Sequence, residues 1–191
     1  MARSTKKEEL AKMTLSSPQF PADRADTDTF FAFVECSLGS TLVAQSKQGV
    51  CAILVGDDRA SLVRELLGRF PKAKLTERQL DHEEILAKIV GLIEHPGISL
   101  DLPLDVRGTA FQQRVWRALQ EIPPGSTATY TEIAEKIEMP KAVRAVAQAC
   151  ASNVLAVAIP CHRVIRRNGS QSGYRWGAER KSALLEREAH P

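Results

Sequence analysis

The residues Val154-Leu155-Ala156-Val157-Ala158-Ile159 form an unbroken apolar run that ends at Pro160, with Cys161 and His162 immediately beyond. Such a run has to be buried, and it reads as a buried strand or core segment. Proline lacks a backbone N–H and ends regular pairing, so Cys161 leaves the core at a sharp exit with an imidazole beside it. Any fold this chain adopts therefore brings a nucleophile and a candidate base to an interior place together. A thiol with a free pKa of about 8.5 needs a cationic or hydrogen-bonding neighbour to yield its reactive thiolate near neutral pH. His162, Arg163, Arg166 and Arg167 offer such neighbours. The plainer alternative is that Cys161 is a small buried hydrophobe, as most cysteines are.

At 191 residues and 43% hydrophobic content the chain can bury one generous core or two small ones. No apolar stretch approaches the ~20 residues that span a bilayer. The first residues, with Lys6-Lys7-Glu8-Glu9 and no apolar segment, form neither a signal peptide nor an anchor. Cysteines at 36, 51, 150 and 161 show no CxxC spacing and fit a reducing compartment, so a cytoplasmic location is expected. Net charge is +3 but unevenly spread, −1 over residues 1–100 and +4 over 101–191. An excess of this size is either a solvated face or the footprint of a polyanionic partner.

Composition divides the chain into a flexible leader over 1–28, an α/β scaffold over 29–98 and a third part over 99–191, with the main boundary near Ile98-Ser99. In the scaffold, Phe30–Cys36, Thr41–Ser46 and Gly49–Val55 read as strands separated by turns at Leu38-Gly39-Ser40 and Lys47-Gln48-Gly49. Leu62, Leu66, Leu67 and Phe70, then Ile85, Ile89, Leu92 and Ile93, recur at helical spacing. His82 and His95 stand alone, and Cys36 and Cys51 form no compact ligand pattern, so no metal is expected.

The last part opens with a helix whose N-cap is Thr109 and whose apolar face carries Phe111, Val115, Trp116 and Leu119. Tyr130–Ile137 and Lys141–Ala151 read as helices broken at Met139-Pro140, a helix-turn-helix pattern. At about 100° per residue, Val143, Val146 and Cys150 of the second helix fall inward. Lys141, Arg144, Ala145, Gln148 and Ala151 fall on the opposite arc. Small residues flanked by cations let a helix backbone approach a nucleic-acid groove, although alanine-rich helices also arise from propensity alone. Near the C-terminus, Glu188 falls between Leu184 and Leu185 in angle, on the face that should be inward.

The motifs Gly108-Thr109-Ala110-Phe111-Gln112, Trp116, Ile122-Pro123-Pro124-Gly125, Lys141–Val146, Asn153, Pro160–Val164 and Ser172-Gly173-Tyr174 occur in one order between Arg107 and Glu188. Together they resemble the O6-alkylguanine-DNA alkyltransferases, also called methylated-DNA–protein-cysteine methyltransferases. The resemblance implies a ribonuclease H-like α/β domain followed by a mainly helical domain with a helix-turn-helix. It also implies direct DNA repair, in which the alkyl group of O6-alkylguanine, and of O4-alkylthymine, passes from double-stranded DNA to Cys161 and inactivates the protein. In that scheme Cys161, His162 and Glu188 form the relay and Asn153 holds the active-site turn. Arg144 fills the gap left by a flipped nucleotide, Tyr130 crowds the target phosphate, and Lys141, Ala145 and Gln148 line a helix in the minor groove. The carbonyls of Cys161 and Val164 read the guanine amino group, Tyr174 donates to the departing base, and Lys181 supports that tyrosine or a phosphate.

Asn168-Gly169-Ser170 and Gly173–Gly177 would form a lid over the pocket, where Arg175 replaces a hydroxyl residue of some relatives. No cofactor, metal or membrane is implied, and the protein is expected to act as a cytoplasmic monomer that joins the nucleoid when bound to DNA. Two alternatives stay open, a binding-only alkyltransferase-like lesion sensor and a cysteine hydrolase.

Overall fold

A computed structural model describes residues 28–78, 83–95, 101–169 and 173–189. The leader up to residue 27, His82, the Ile98-Ser99 boundary, Ser170 of the expected lid and Ser172 of the Ser172-Gly173-Tyr174 motif lie outside the described residues.

Strands β1 (Thr29–Cys36), β2 (Gly39–Ser46) and β3 (Gly49–Gly56) form an antiparallel meander, with Phe30 opposite Gln45 and Leu42 opposite Leu54. Helix α1 (Arg59–Arg69) crosses over to β4 (Leu75–Glu77), which pairs with β1 in parallel. The sheet order is β3-β2-β1-β4, a mixed sheet that, with its helices, gives the expected N-terminal α/β half. Asp58 starts α1 by accepting from the amides of Ala60 and Ser61, and Leu62 and Leu66 bury its inner face. Helix α2 (Glu83–Glu94) buries the expected stripe of Ile85, Ile89, Leu92 and Ile93. Strand β4 was not legible in the sequence. It is three residues long, with Thr76 and Glu77 exposed, so no apolar alternation marks it.

The two halves share one continuous hydrophobic core, and β3 is where they meet. Val50 donates to the carbonyl of Pro103 at 2.9 Å, and Asp105 donates back to Val50 at 2.9 Å. The buried carboxylate of Asp105 accepts from Ser46 Oγ at 2.7 Å and from Arg107 Nε at 2.8 Å, which ties the returning chain to the sheet. Three residues further along β3, Ile53 donates to Val154 at 2.8 Å and accepts from Ala156 at 3.0 Å. The segment that leads to Cys161 therefore hangs on the edge strand β3 of the N-terminal sheet.

Helix α3 (Ala110–Gln120) begins at Thr109, the N-cap the sequence predicts, which forms a reciprocal capping box with Gln112. Gly108 lies against Trp116, where an added Cβ would come within 2.5 Å of the indole ring. The short pair β5 (Ala128–Thr129) and β6 (Val164–Ile165) brings the start of α4 (Tyr130–Lys136) beside the Cys161 turn. A second capping box, Thr129 with Glu132, starts α4. The helix expected over Lys141–Ala151 divides in two: Pro140 opens a tighter 3-10 turn through Ala142, and α5 proper runs from Val143 to Ala151. Helix α6 (Ala178–Ala189) closes the chain. Among the described residues no helix is long and apolar enough to cross a membrane.

Candidate active site and DNA-facing surface

The apolar run Val154–Ile159 is buried but is not a strand. Only Leu155 bridges to the sheet, opposite Ile53. Asn153, wholly buried, bends the rest back on itself. Its Oδ1 accepts from the Leu155 amide at 2.9 Å, and its Nδ2 donates to the carbonyls of Leu155 at 3.3 Å and Ile159 at 2.9 Å. The bend forces Val157 to φ 58°, a left-handed conformation that a β-branched residue enters only at a cost. Asn153 Nδ2 also donates to Cys161 Sγ at 3.2 Å. The same amide that shapes the loop therefore holds the thiol.

Past Pro160, Cys161-His162-Arg163 form a single 3-10 turn whose three side chains are all buried. His162 Nε2 lies 2.7 Å from Glu188 Oε1. Arg163 grips the same carboxylate, Nε at 3.0 Å from each oxygen and Nη2 at 2.9 Å from Oε1, and its Nη1 donates to the Ile122 carbonyl at 2.5 Å. Gly125 adds its amide to Oε2 at 3.2 Å, so the Ile122-Pro123-Pro124-Gly125 turn closes over Glu188. Burial alone would raise the pKa of Glu188. The hydrogen bonds and charges of His162 and Arg163 outweigh it and hold the pKa at about 2.

Burial pushes His162 below its ordinary value, more strongly than Glu188 pulls it up. A neutral imidazole facing a fixed carboxylate carries its proton on Nε2, which leaves Nδ1 as the lone-pair nitrogen. Nδ1 is buried and has no hydrogen-bond partner among the described residues.

Burial also raises the Cys161 thiol to about 11, against the opposing pull of Asn153 and of the charge on Lys181. At rest the sulfur is a protonated, shielded thiol. Lys181 is buried, with Nζ 2.5 Å from the Val164 carbonyl, and its own pKa is lowered by that burial. Tyr174 packs edge-on to His162 at 6.3 Å and to Trp176 at 5.3 Å, and burial raises its hydroxyl well above the usual range. Gly173, at φ 92°, passes beside the Tyr130 hydroxyl, 3.7 Å from where a Cβ would stand. Burial and the nearby Cys150 and Cys161 raise Tyr130 in turn.

Helix α5 presents the other surface. Val146, Ala149 and Cys150 are buried, while Lys141, Arg144, Ala145, Gln148 and Ala151 are exposed. Its C-terminal end is fixed from beneath by Trp116 Nε1, which donates to Ala149 O at 2.9 Å, and by Gln112 Nε2, which donates to Ser152 Oγ at 3.0 Å.

A family model described as "6-O-methylguanine DNA methyltransferase, DNA binding domain" matches residues 110–190. The inducible methylated-DNA–protein-cysteine methyltransferase of Bacillus subtilis is 43% identical over 63% of this chain and 67% of its own. The crystal structure of Mycobacterium tuberculosis OGT in complex with DNA superposes with a TM-score of 0.71 at 32% identity, over 84% of this chain and 92% of that one. The chain belongs to the O6-methylguanine DNA methyltransferase family. It is also 48% identical to the bifunctional transcriptional activator/DNA repair enzyme Ada of Escherichia coli, over 92% of this chain and 49% of Ada. The chain thus spans about half the length of its Ada relatives.

For this family member the structure narrows one expectation and corrects three. Of the two readings of the run before Pro160, the core segment holds and the strand does not, because Asn153 takes the carbonyls a strand would need. The cations expected around Cys161 are differently placed: Arg163 turns to Glu188, Arg166 and Arg167 are exposed, and the positive charges that act on the thiol come from Lys181 and Arg175. Lys181 holds the Val164 carbonyl rather than Tyr174 or a phosphate. That carbonyl keeps a second lone pair for a ligand.

Arg175 is not open toward a substrate. Its guanidinium pairs with Glu65 of α1, Nε at 2.8 Å, and donates from Nη1 to the Ala151 carbonyl at 2.9 Å. The buried partners Arg163 and Gln112 were missed as site residues, since arginine and glutamine carry no signal of burial in a sequence. His95 has no metal-ligand cluster around it among the described residues.

Proposed function

We propose that this protein repairs O6-alkylguanine, and O4-alkylthymine, in double-stranded DNA by a single irreversible transfer of the alkyl group to Cys161. The observation that carries this reading is the buried relay. Glu188 is fixed as an anion by Arg163 and holds His162 as an Nε2–H tautomer, with Nδ1 free to take a proton. As His162 Nδ1 accepts the thiol proton through a bridging water, Cys161 Sγ attacks the alkyl carbon in line. The S–C bond forms, the C–O6 bond breaks, and guanine leaves with its electron pair and takes up a proton. Asn153 steadies the sulfur, the Cys161 and Val164 carbonyls read the base, and Tyr174 donates to it as it departs.

The target atom of a stacked guanine cannot reach a buried thiol, so the nucleotide has to leave the helix. The exposed row of Lys141, Arg144, Ala145 and Gln148 fits a helix laid in the minor groove, with Arg144 filling the vacated stack and Tyr130 crowding the target phosphate. In this reading residues 29–98 are scaffold, 99–191 bind DNA and carry the chemistry, and the protein works as a cytoplasmic monomer. A thioether has no easy leaving group, so lesion consumption should stop at one per protein chain. Continued turnover, on DNA or on a thiol-sensitive ester, would favour a hydrolase instead.

A further inference from the structure

Helix α1 ends beside the C-terminus of α5. Glu65 of α1 holds Arg175, and Arg175 in turn caps the carbonyl of Ala151, the last residue of α5. Arg69 follows Glu65 by one helical turn and so shares its face. It is half-buried, and it has no hydrogen-bond or ion-pair partner among the described residues. Burial and the neighbouring charge of Arg175 both disfavour its own charge, and Glu65 offsets them only in part. A cation in this setting is under-satisfied by the protein and open to an external anion.

The position of that cation is specific. Ala151 follows Arg144 by seven residues, so the two share one face of α5 about 10 Å apart along its axis. The end of a helix is electronegative and would repel a phosphate, but here Arg175 covers it. Arg69, beside the paired Arg175, thus extends the cationic row of Lys141 and Arg144 beyond the end of α5 and onto the N-terminal half.

We propose that Arg69, backed by Arg175, binds a backbone phosphate of the DNA duplex, which makes the N-terminal half part of the DNA-contacting surface. The inference rests on the reading of α5 as the groove helix. Its test is duplex binding of the full chain across a salt series, for the wild type, Arg69→Ala, Arg69→Lys and Arg64→Ala. Arg64 is the control: it lies on the same helix and changes charge equally, but it is held by Ser61 at 2.8 Å and lies 3.7 Å from Asp58.

Arg69→Ala should weaken undamaged and damaged duplex alike, by about three- to tenfold near 0.1 M salt, and lower the log–log salt slope by about one. Arg69→Lys should keep the slope, and Arg64→Ala should match the wild type. The thermal midpoint of Arg69→Ala should not fall, because the cation lost had no partner. An unchanged slope in Arg69→Ala, or an equal loss in Arg64→Ala, overturns the proposal. A wild type that binds duplex with no salt dependence removes the groove-helix reading itself, and this proposal with it.

Discussion

The Cys161 pocket and the outer face of α5 are built on opposite principles. In the pocket nearly every polar atom has a protein partner: Asn153, Arg163, Lys181 and Glu188 are all buried and all hydrogen-bonded. On the α5 face Lys141, Arg144 and Gln148 are exposed. The difference separates chemistry from recognition. Groups that set a protonation state must be held by the fold, whereas groups that meet phosphates and bases must be left for the ligand.

The largest expected effect breaks the two regions apart completely. Cys161→Ser should abolish alkyl transfer while duplex binding persists, since a hydroxyl is a far poorer nucleophile than a thiolate. Loss of binding together with transfer would show that the thiol holds the fold of both regions.

Next in size is Glu188→Ala, which strands Arg163 and His162 in the interior. Removing one partner of a buried ion pair costs about 3–5 kcal/mol, to be read from denaturant midpoints, and transfer to both duplex and free base should slow. A stability loss below about 1 kcal/mol would contradict the buried clamp. Arg144→Ala should act on the other region alone. Stability should hold, and repair of duplex should slow about tenfold or more relative to attack on free O6-methylguanine, because unstacking costs a few kcal/mol and each 1.4 kcal/mol is tenfold. Equal slowing of both substrates would place Arg144 in the pocket's support.

The smallest effect is in pH. Glu188 titrates at about 2 in the folded protein against roughly 4.3 unfolded. His162 is likewise depressed below its unfolded value near 6.5. In both cases the unfolded chain takes up protons first as pH falls. The stability they contribute is therefore complete above about pH 6.5 and declines toward pH 2. Urea midpoints of Glu188→Gln should show a flatter acid limb below about pH 4.3, and an unchanged limb would assign the acid loss to other carboxylates.

The same contrast explains what could be read from the sequence. The α5 face follows from helical periodicity alone, and the projected residues are the exposed ones. Thr109 and Thr129 with Gln112 and Glu132 three residues on make the capping boxes local features. Glu188 was legible because it sits at helical spacing among leucines. The pocket's wiring was not, because its links are long in sequence. Arg163 reaches Ile122 and Glu188, Arg175 reaches Glu65, and Lys181 reaches Val164. No local pattern marks such pairs. Val154–Ile159 left strand and core segment open for a related reason: an apolar run reports burial, while the clamp that denies it strand pairing is one polar residue upstream.

The central claim is that Cys161 is the acceptor, and the most direct measurement is intact mass followed by peptide mapping after incubation with duplex containing O6-methylguanine. A gain of about 14 Da, one per chain, confined to the peptide that carries Cys161, is the expected result. A methyl group found on Cys36, Cys51 or Cys150, or lesions consumed without any change in protein mass, would contradict it.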